Sequence, residues 1–111
     1  HFKAIKASLL KRRAIVTSAL SDLEDFESNF SQGAFYLFPS IKKFLGKRLN
    51  GNELISNDTN FCMQLLSSEH VATVPGSSFG SKDSIRISYA LSEKDLRTGC
   101  KRIKQFCERL I

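Results

Sequence analysis

The sequence predicts an α/β (α+β) domain in which about three helices cover a small mixed β-sheet. Three observations predict it. Apolar residues recur at threes and fours near both ends and in the middle of the chain. Between these stretches lie short apolar runs closed by Pro39 and by Pro75-Gly76. The order reads helix, strand pair, helix, strand, strand, helix, which calls for helices packed on a sheet.

The first helix is expected over Phe2 to Leu23. Its apolar positions are Phe2, Ile5, Leu9, Val16, Leu20 and Leu23, an amphipathic spacing. Arg12 and Arg13 fall where the stripe would continue, so one of them is expected to point inward to a partner. Asp22 to Asn29 is polar, with Phe26 set into it and Phe30 just beyond, and reads as an edge strand. Ser31, Gln32 and Gly33 suggest a turn. Ala34 to Phe38, AFYLF, is apolar without alternation, which indicates a strand covered on both faces. Pro39 cannot donate to a ladder, so the strand is expected to stop near it.

Ile41 to Ser56 carries two glycines among several basic residues and reads as a surface connection, with room for a short helical turn. Asn57 or Asp58 can cap the second helix, whose apolar positions are Phe61, Cys62, Leu65 and Leu66 and which should end near Ser68. Val71 to Val74 is a short strand, and Ser77 to Asp83 a loop. Ile85 to Ala90 is the next strand. Ser92 and Asp95 form a capping-box variant that opens the last helix. In that helix Leu96, Cys100, Ile103, Cys107 and Leu110 mark the core face. Gly99 sits inside it at a cost of about 1 kcal/mol relative to Ala, which a close backbone approach to a neighbour would explain.

A length of 111 residues favours one domain, and 41% apolar with 25% charged residues is ordinary for a packed globular chain. No apolar run approaches the ~20 residues of a membrane span. The opening stretch is interrupted by Lys6 and by Lys11, Arg12 and Arg13, so it is not read as a secretory leader. The chain starts at His1 rather than Met, already in a helical pattern, which suggests a piece of something longer. Three cysteines, Cys62, Cys100 and Cys107, match no zinc spacing and read as buried thiols in a reducing, cytoplasmic compartment. His1 and His70 have no serine or cysteine beside them that would make a nucleophilic pair. PGSSFG lacks the spacing of a phosphate loop.

The segment SIRISYALSEKDL poses the functional question. Side chains alternate along a strand, so Ile85, Ile87 and Tyr89 face the helices, while Arg86, Ser88 and Ala90 face the other way. A strand arginine is ordinarily a surface cation or half of an ion pair. Here its same-face neighbours are small and leave room for something against the sheet. A guanidinium there could hold a carboxylate by two parallel N–H donors, and a strand is a rigid mount. The net charge of +6 allows a rival, a small basic α/β module binding nucleic-acid phosphates. Against it, the sheet aromatics of AFYLF read as buried rather than as a stacking platform.

The segments GAFYLFPSI (33–41), VATVPGSSFG (71–80) and IRISYALSEKDLRTGCKRI (85–103) resemble the C-terminal small domain of bacterial-type aspartate aminotransferases, in the fold-type I, class I/II branch. The opening helix with KRR resembles the helix leading into that domain. The resemblance covers nearly the whole chain and implies that residues 1–111 are one small domain, with the large cofactor-binding domain outside the segment. It implies that Arg86 holds the substrate α-carboxylate and that Phe35 flanks the pocket. The PGSSFG loop would shape the mouth of the site without doing chemistry. The cofactor implied is pyridoxal 5'-phosphate, whose attachment lysine matches no lysine here, so this segment alone would be inactive. The substrates implied are an amino acid such as L-aspartate and a 2-oxo acid. The implied partners are the protein's own large domain and a second subunit in a homodimer, with neither nucleic acid nor membrane. The +6 charge then belongs to a part whose surfaces meet other bodies.

Overall fold

The computed structural model describes residues 2–28 and 35–111. Helix α1 (Phe2–Ala19) is followed by strand β1 (Glu24–Ser28) and strand β2 (Tyr36–Ser40). A 3₁₀ turn (Lys42–Phe44) leads to a small hairpin, β3 (Arg48–Leu49) and β4 (Glu53–Leu54). Helix α2 (Asp58–Glu69), strand β5 (Val74–Pro75), a 3₁₀ turn (Gly76–Phe79), strand β6 (Ile85–Ser88) and helix α3 (Glu93–Glu108) complete the chain. The turn expected at 31–33 lies outside the described residues.

The main sheet has the order β1-β2-β6-β5. Every pairing in it is antiparallel, where a mixed sheet was expected. The cause is the connection through α2. It returns the chain so that β5 runs parallel to β2, but the tight turn after β5 drops β6 into the gap between them. The parallel neighbours therefore never pair.

The three helices cover one face. From the sheet, Leu37, Ile85, Ile87 and Tyr89 are buried there. They meet Ile15 and Val16 of the first helix and Leu20 just past its end, Phe61 and Leu65 of the second, and Leu96, Cys100, Ile103 and Phe106 of the third. Phe61 and Phe106 pack edge to face with ring centroids 5.2 Å apart, an arrangement worth about 1 kcal/mol beyond area burial. The helix starts follow local chemistry. Asn57 Oδ1 accepts from Asn60 N at 2.8 Å, and Ser92 Oγ from Asp95 N at 3.2 Å. His70 closes α2 in the left-handed conformation.

Several expectations need correction. The strand through AFYLF stops near Pro39 as expected, at Ser40, but takes the proline itself into the ladder. The missing N–H is accommodated because β1 bulges opposite it, between Glu24↔Ser40 and Glu27↔Phe38. Burial along β2 alternates, with Leu37 and Pro39 buried and Tyr36 and Phe38 only half-buried, so the helices cover one face and not both. The surface connection at 41–56 hides three core anchors, Ile41, Phe44 and Ile55, and its Asn50-Gly51 pair takes the positive φ of a hairpin turn. Leu66 and Ile5, expected on core faces, are exposed. Gly99 is not at a close approach, since a Cβ there would meet nothing within 4 Å.

Arg12 and Arg13 are both half-buried. Arg13 lies near enough to Tyr89 to oppose the upward shift that burial imposes on its phenol. Lys11, 3.0 Å from Glu93 Oε1, ties the first helix to the start of the last.

Candidate functional site

Arg86 sits where alternation places it, half-buried on the face of the sheet away from the helices. It pairs with Val74 of β5. Its guanidinium carbon lies 4.2 Å from the ring centroid of Tyr36 and 4.5 Å from that of Phe79. Both are cation–π distances. Phe79 also packs on Phe38, centroids 6.1 Å apart. The cation is thus seated on aromatic faces, which hold it by its π-surface and leave the edge N–H donors unused. Among the described residues Arg86 makes no ion pair and donates no side-chain hydrogen bond, and none of its nitrogens is sealed from solvent. Asp95 lines the same groove of about 130 Å³, together with Thr73, Ser88, Leu91 and Gly99, but does not engage the guanidinium. A positively charged fork with open donors on a rigid strand is suited to a planar oxyanion such as a carboxylate.

The loop that supplies Phe79 is held at two points. Ser77 donates its N–H to Asp58 Oδ2 at 3.0 Å and its hydroxyl to Asp58 Oδ1 at 2.9 Å. Gly76 donates to Ser84 O at 2.8 Å, so close that a Cβ there would lie 1.8 Å from Ser84 Oγ. Only glycine fits.

Phe35, the other predicted site residue, is not brought to Arg86. It stands half-buried at the start of β2, packed edge to face on Tyr89 with centroids 6.0 Å apart, on the core side. The rings that do touch Arg86, Tyr36 and Phe79, were not singled out from the sequence. Alternation placed Tyr36 and Phe38 together on one side of the strand, and a lone large apolar residue inside PGSSFG was a signal that the loop packs on something.

Other features offer less. All three thiols are free, and burial pushes each above its ordinary value, Cys100 to about 11 and Cys107 to about 12. They are inert as nucleophiles at neutral pH. Among the described residues no group of three His, Cys, Asp or Glu could hold a metal, and no helix is long and apolar enough to cross a membrane. Every lysine from Lys3 to Lys104 is exposed in this chain. A basic pocket lined by Lys43, Lys47 and Lys104 is partly spent internally: Lys43 donates to the Asp22 carbonyl, and Lys43 and Lys47 lie over the Phe44 ring. Among the described side chains of the sheet, Tyr36 and Phe38 are covered by Arg86 and Phe79, whereas a nucleic-acid platform works through bare rings.

A family model described as aminotransferase class I and II matches residues 1–103. A probable aspartate/prephenate aminotransferase from Rhizobium leguminosarum bv. phaseoli is 43% identical over 96 residues, which is 86% of this chain and 24% of that protein. An aspartate aminotransferase from Rhizobium meliloti is 41% identical over 103 residues, 93% of this chain and 25% of that protein. The crystal structure of the Rhizobium meliloti aspartate aminotransferase matches with a TM-score of 0.86 at 39% identity, covering 98% of this chain and 27% of the other. The chain spans about a quarter of the length of these relatives. The family match spans nearly the whole chain, and the chain belongs to the class I and II aminotransferases.

Proposed function

We propose that residues 1–111 are the small domain of a pyridoxal 5'-phosphate-dependent aminotransferase that moves an amino group from L-aspartate or a related amino acid to a 2-oxo acid. The observation that carries this reading is Arg86, a cation seated on two rings with open donors and, among the described residues, no acid bound to it. Class I and II aminotransferases are generally pyridoxal-phosphate dependent. The cofactor, when bound, supplies the electron sink on which amino transfer runs. Its attachment lysine belongs to a large domain outside this segment, in keeping with the exposure of every lysine here.

Within this chain Arg86 binds and orients the substrate α-carboxylate, which amino acid and 2-oxo acid share. Tyr36 and Phe79 exclude water from the guanidinium faces and so strengthen that pairing. Phe35, which the resemblance sets beside the pocket, stands in this chain on the core side of β2, braced by Tyr89, and does not reach Arg86. Closure of the small domain over the large one would complete the site and exclude water. Exposed apolar side chains along the first half of α1, Ile5 and Leu10, support a neighbouring body there. A homodimer completes the assembly, and the free thiols support a reducing, cytoplasmic setting.

The test is Arg86→Leu in the intact protein. It should lower kcat/KM by an amount on the order of 2–5 kcal/mol, as for a lost buried charge pair. Near-normal turnover of amino acids by that variant would remove the assignment.

A further inference from the structure

We infer that Asp58 is a positioning residue for the carboxylate clamp, acting on Arg86 through Ser77 and Phe79. The inference rests on the reading of Arg86 given above. Asp58 occupies the first turn of α2 and is 3% exposed. Helix geometry alone does not account for burying this carboxylate. An acid near a helix N-terminus gains from the dipole while still in water, and burial without partners would be costly. Both oxygens are instead consumed by one residue, Ser77, through its N–H at 3.0 Å and its hydroxyl at 2.9 Å.

Ser77 is the second residue of a four-residue 3₁₀ turn. Two bonds to one carboxylate fix both its position and its rotation. Gly76, wedged on Ser84, fixes the residue before it. Phe79 follows two residues later with its ring 4.5 Å from the Arg86 carbon, although Phe79 is itself 52% exposed. Apart from its contact with Phe38, this half-exposed ring has little packing of its own to hold it. Its place over the cation is set by the turn, and the turn is set by Asp58.

Loss of the anchor frees the turn. Arg86 then loses one of its two rings and gains rotamers that point its fork away from substrate. The effect belongs to carboxylate binding, so it appears in KM. Amino acid and 2-oxo acid present the same carboxylate, so both KM values should move together.

The experiment is steady-state kinetics of the intact protein with L-aspartate and 2-oxoglutarate. Asp58→Ala should raise both KM values by a similar factor, roughly 3- to 10-fold for a lost cation–π contact, with kcat changed less than twofold. Asp58→Asn keeps one oxygen for Ser77 N–H and offers its amide to the Ser77 hydroxyl, so it should restore most of the loss. In a Phe79→Ala background, Asp58→Ala should add nothing further to KM. Ser77→Ala, at an exposed position, covers the case in which Asp58→Ala does not fold, and should raise both KM values in the same direction.

Unchanged KM values in Asp58→Ala and Ser77→Ala, while Arg86→Leu raises them, would overturn the inference and leave the clamp standing. A purely structural Asp58 would lower the thermal midpoint without moving KM, which also overturns it. Unchanged KM in Arg86→Leu itself would remove the clamp and the inference with it.

Discussion

Arg86→Lys separates charge from shape. A lysine keeps the positive charge on β6 but loses the planar fork and the flat face that lies over Tyr36 and Phe79. Its kcat/KM should fall roughly tenfold to a hundredfold, the scale of one charged hydrogen bond at about 1.5–3 kcal/mol, and so lie between the parent and Arg86→Leu. A lysine variant as active as the parent would mean that a point charge suffices and that the rings are incidental. The buried thiols make a second residue-level test. Cys100 and Cys107 keep their protons to about 11 and 12 in the fold, against 9.0 ordinarily. The folded state therefore binds these protons more tightly than the unfolded chain does. The stability they contribute is complete below pH 9.0 and is lost as pH rises through the folded values. Replacing both with alanine should flatten the decline in folding stability above pH 9.0, and an unchanged decline in chemical denaturation would contradict the burial argument. Arg86 was legible as a candidate because period-2 alternation is a local property. Its seat was not, because Tyr36 and Phe79 reach it from 50 and 7 residues away in sequence, and no local pattern specifies that meeting.

Two glycines make opposite predictions at the level of elements. Gly76→Ala would put a methyl 1.8 Å from Ser84 Oγ and 2.5 Å from Ser81 O. One of those atoms is backbone, so the turn must move and carry Phe79 with it. On the proposed role of Arg86 as a carboxylate clamp, the intact protein should show a raised KM for carboxylate substrates. Gly99→Ala meets nothing within 4 Å. It removes the helix penalty of glycine and should stabilise α3 by about 0.5–1 kcal/mol, visible as slower amide exchange around residues 97–103. Reduced activity in Gly99→Ala would mean that another part of the intact protein presses on that turn. The same contrast explains which elements could be read in advance. The capped helices α2 and α3 and the alternating β6 announce themselves through neighbours in sequence. The β3–β4 hairpin was missed because two-residue strands carry no period, and only its Asn50-Gly51 turn marked it. The bulge opposite Pro39 was missed because a proline signals an interruption without saying which strand will yield.

At the scale of the molecule, α1 is divided. Its second half is anchored by Ile15 and Val16, with Leu20 just past its end, all buried. In its first half Ile5 is 48% exposed and Leu10 47%, and the residues from Lys3 to Ser8 are exposed throughout. Helices shorter than ~12–15 residues are marginal in water without tertiary contacts, so this half depends on what lies beside it. Leu9 packs on the core, but Ile5 and Leu10 find no cover among the described residues, and exposed apolar side chains of this kind mark an unfinished interface. The relatives are about four times longer than the matched segment, which leaves ample protein to cover it. In the intact protein, amides of residues 5–10 should therefore exchange as slowly as those of residues 15–19. In the 111-residue chain alone they should exchange at least roughly tenfold faster, since each 1.4 kcal/mol of lost protection is tenfold. Ile5→Ser with Leu10→Ser tests the same contact from the other side. In the intact protein it should abolish the protection of residues 5–10 and leave residues 15–19 protected, because Val16 and Leu20 keep their own core. Equal exchange across both halves in the isolated chain would show that α1 stands without a neighbour, and the picture of a small domain built to lean on a larger one would lose its structural support.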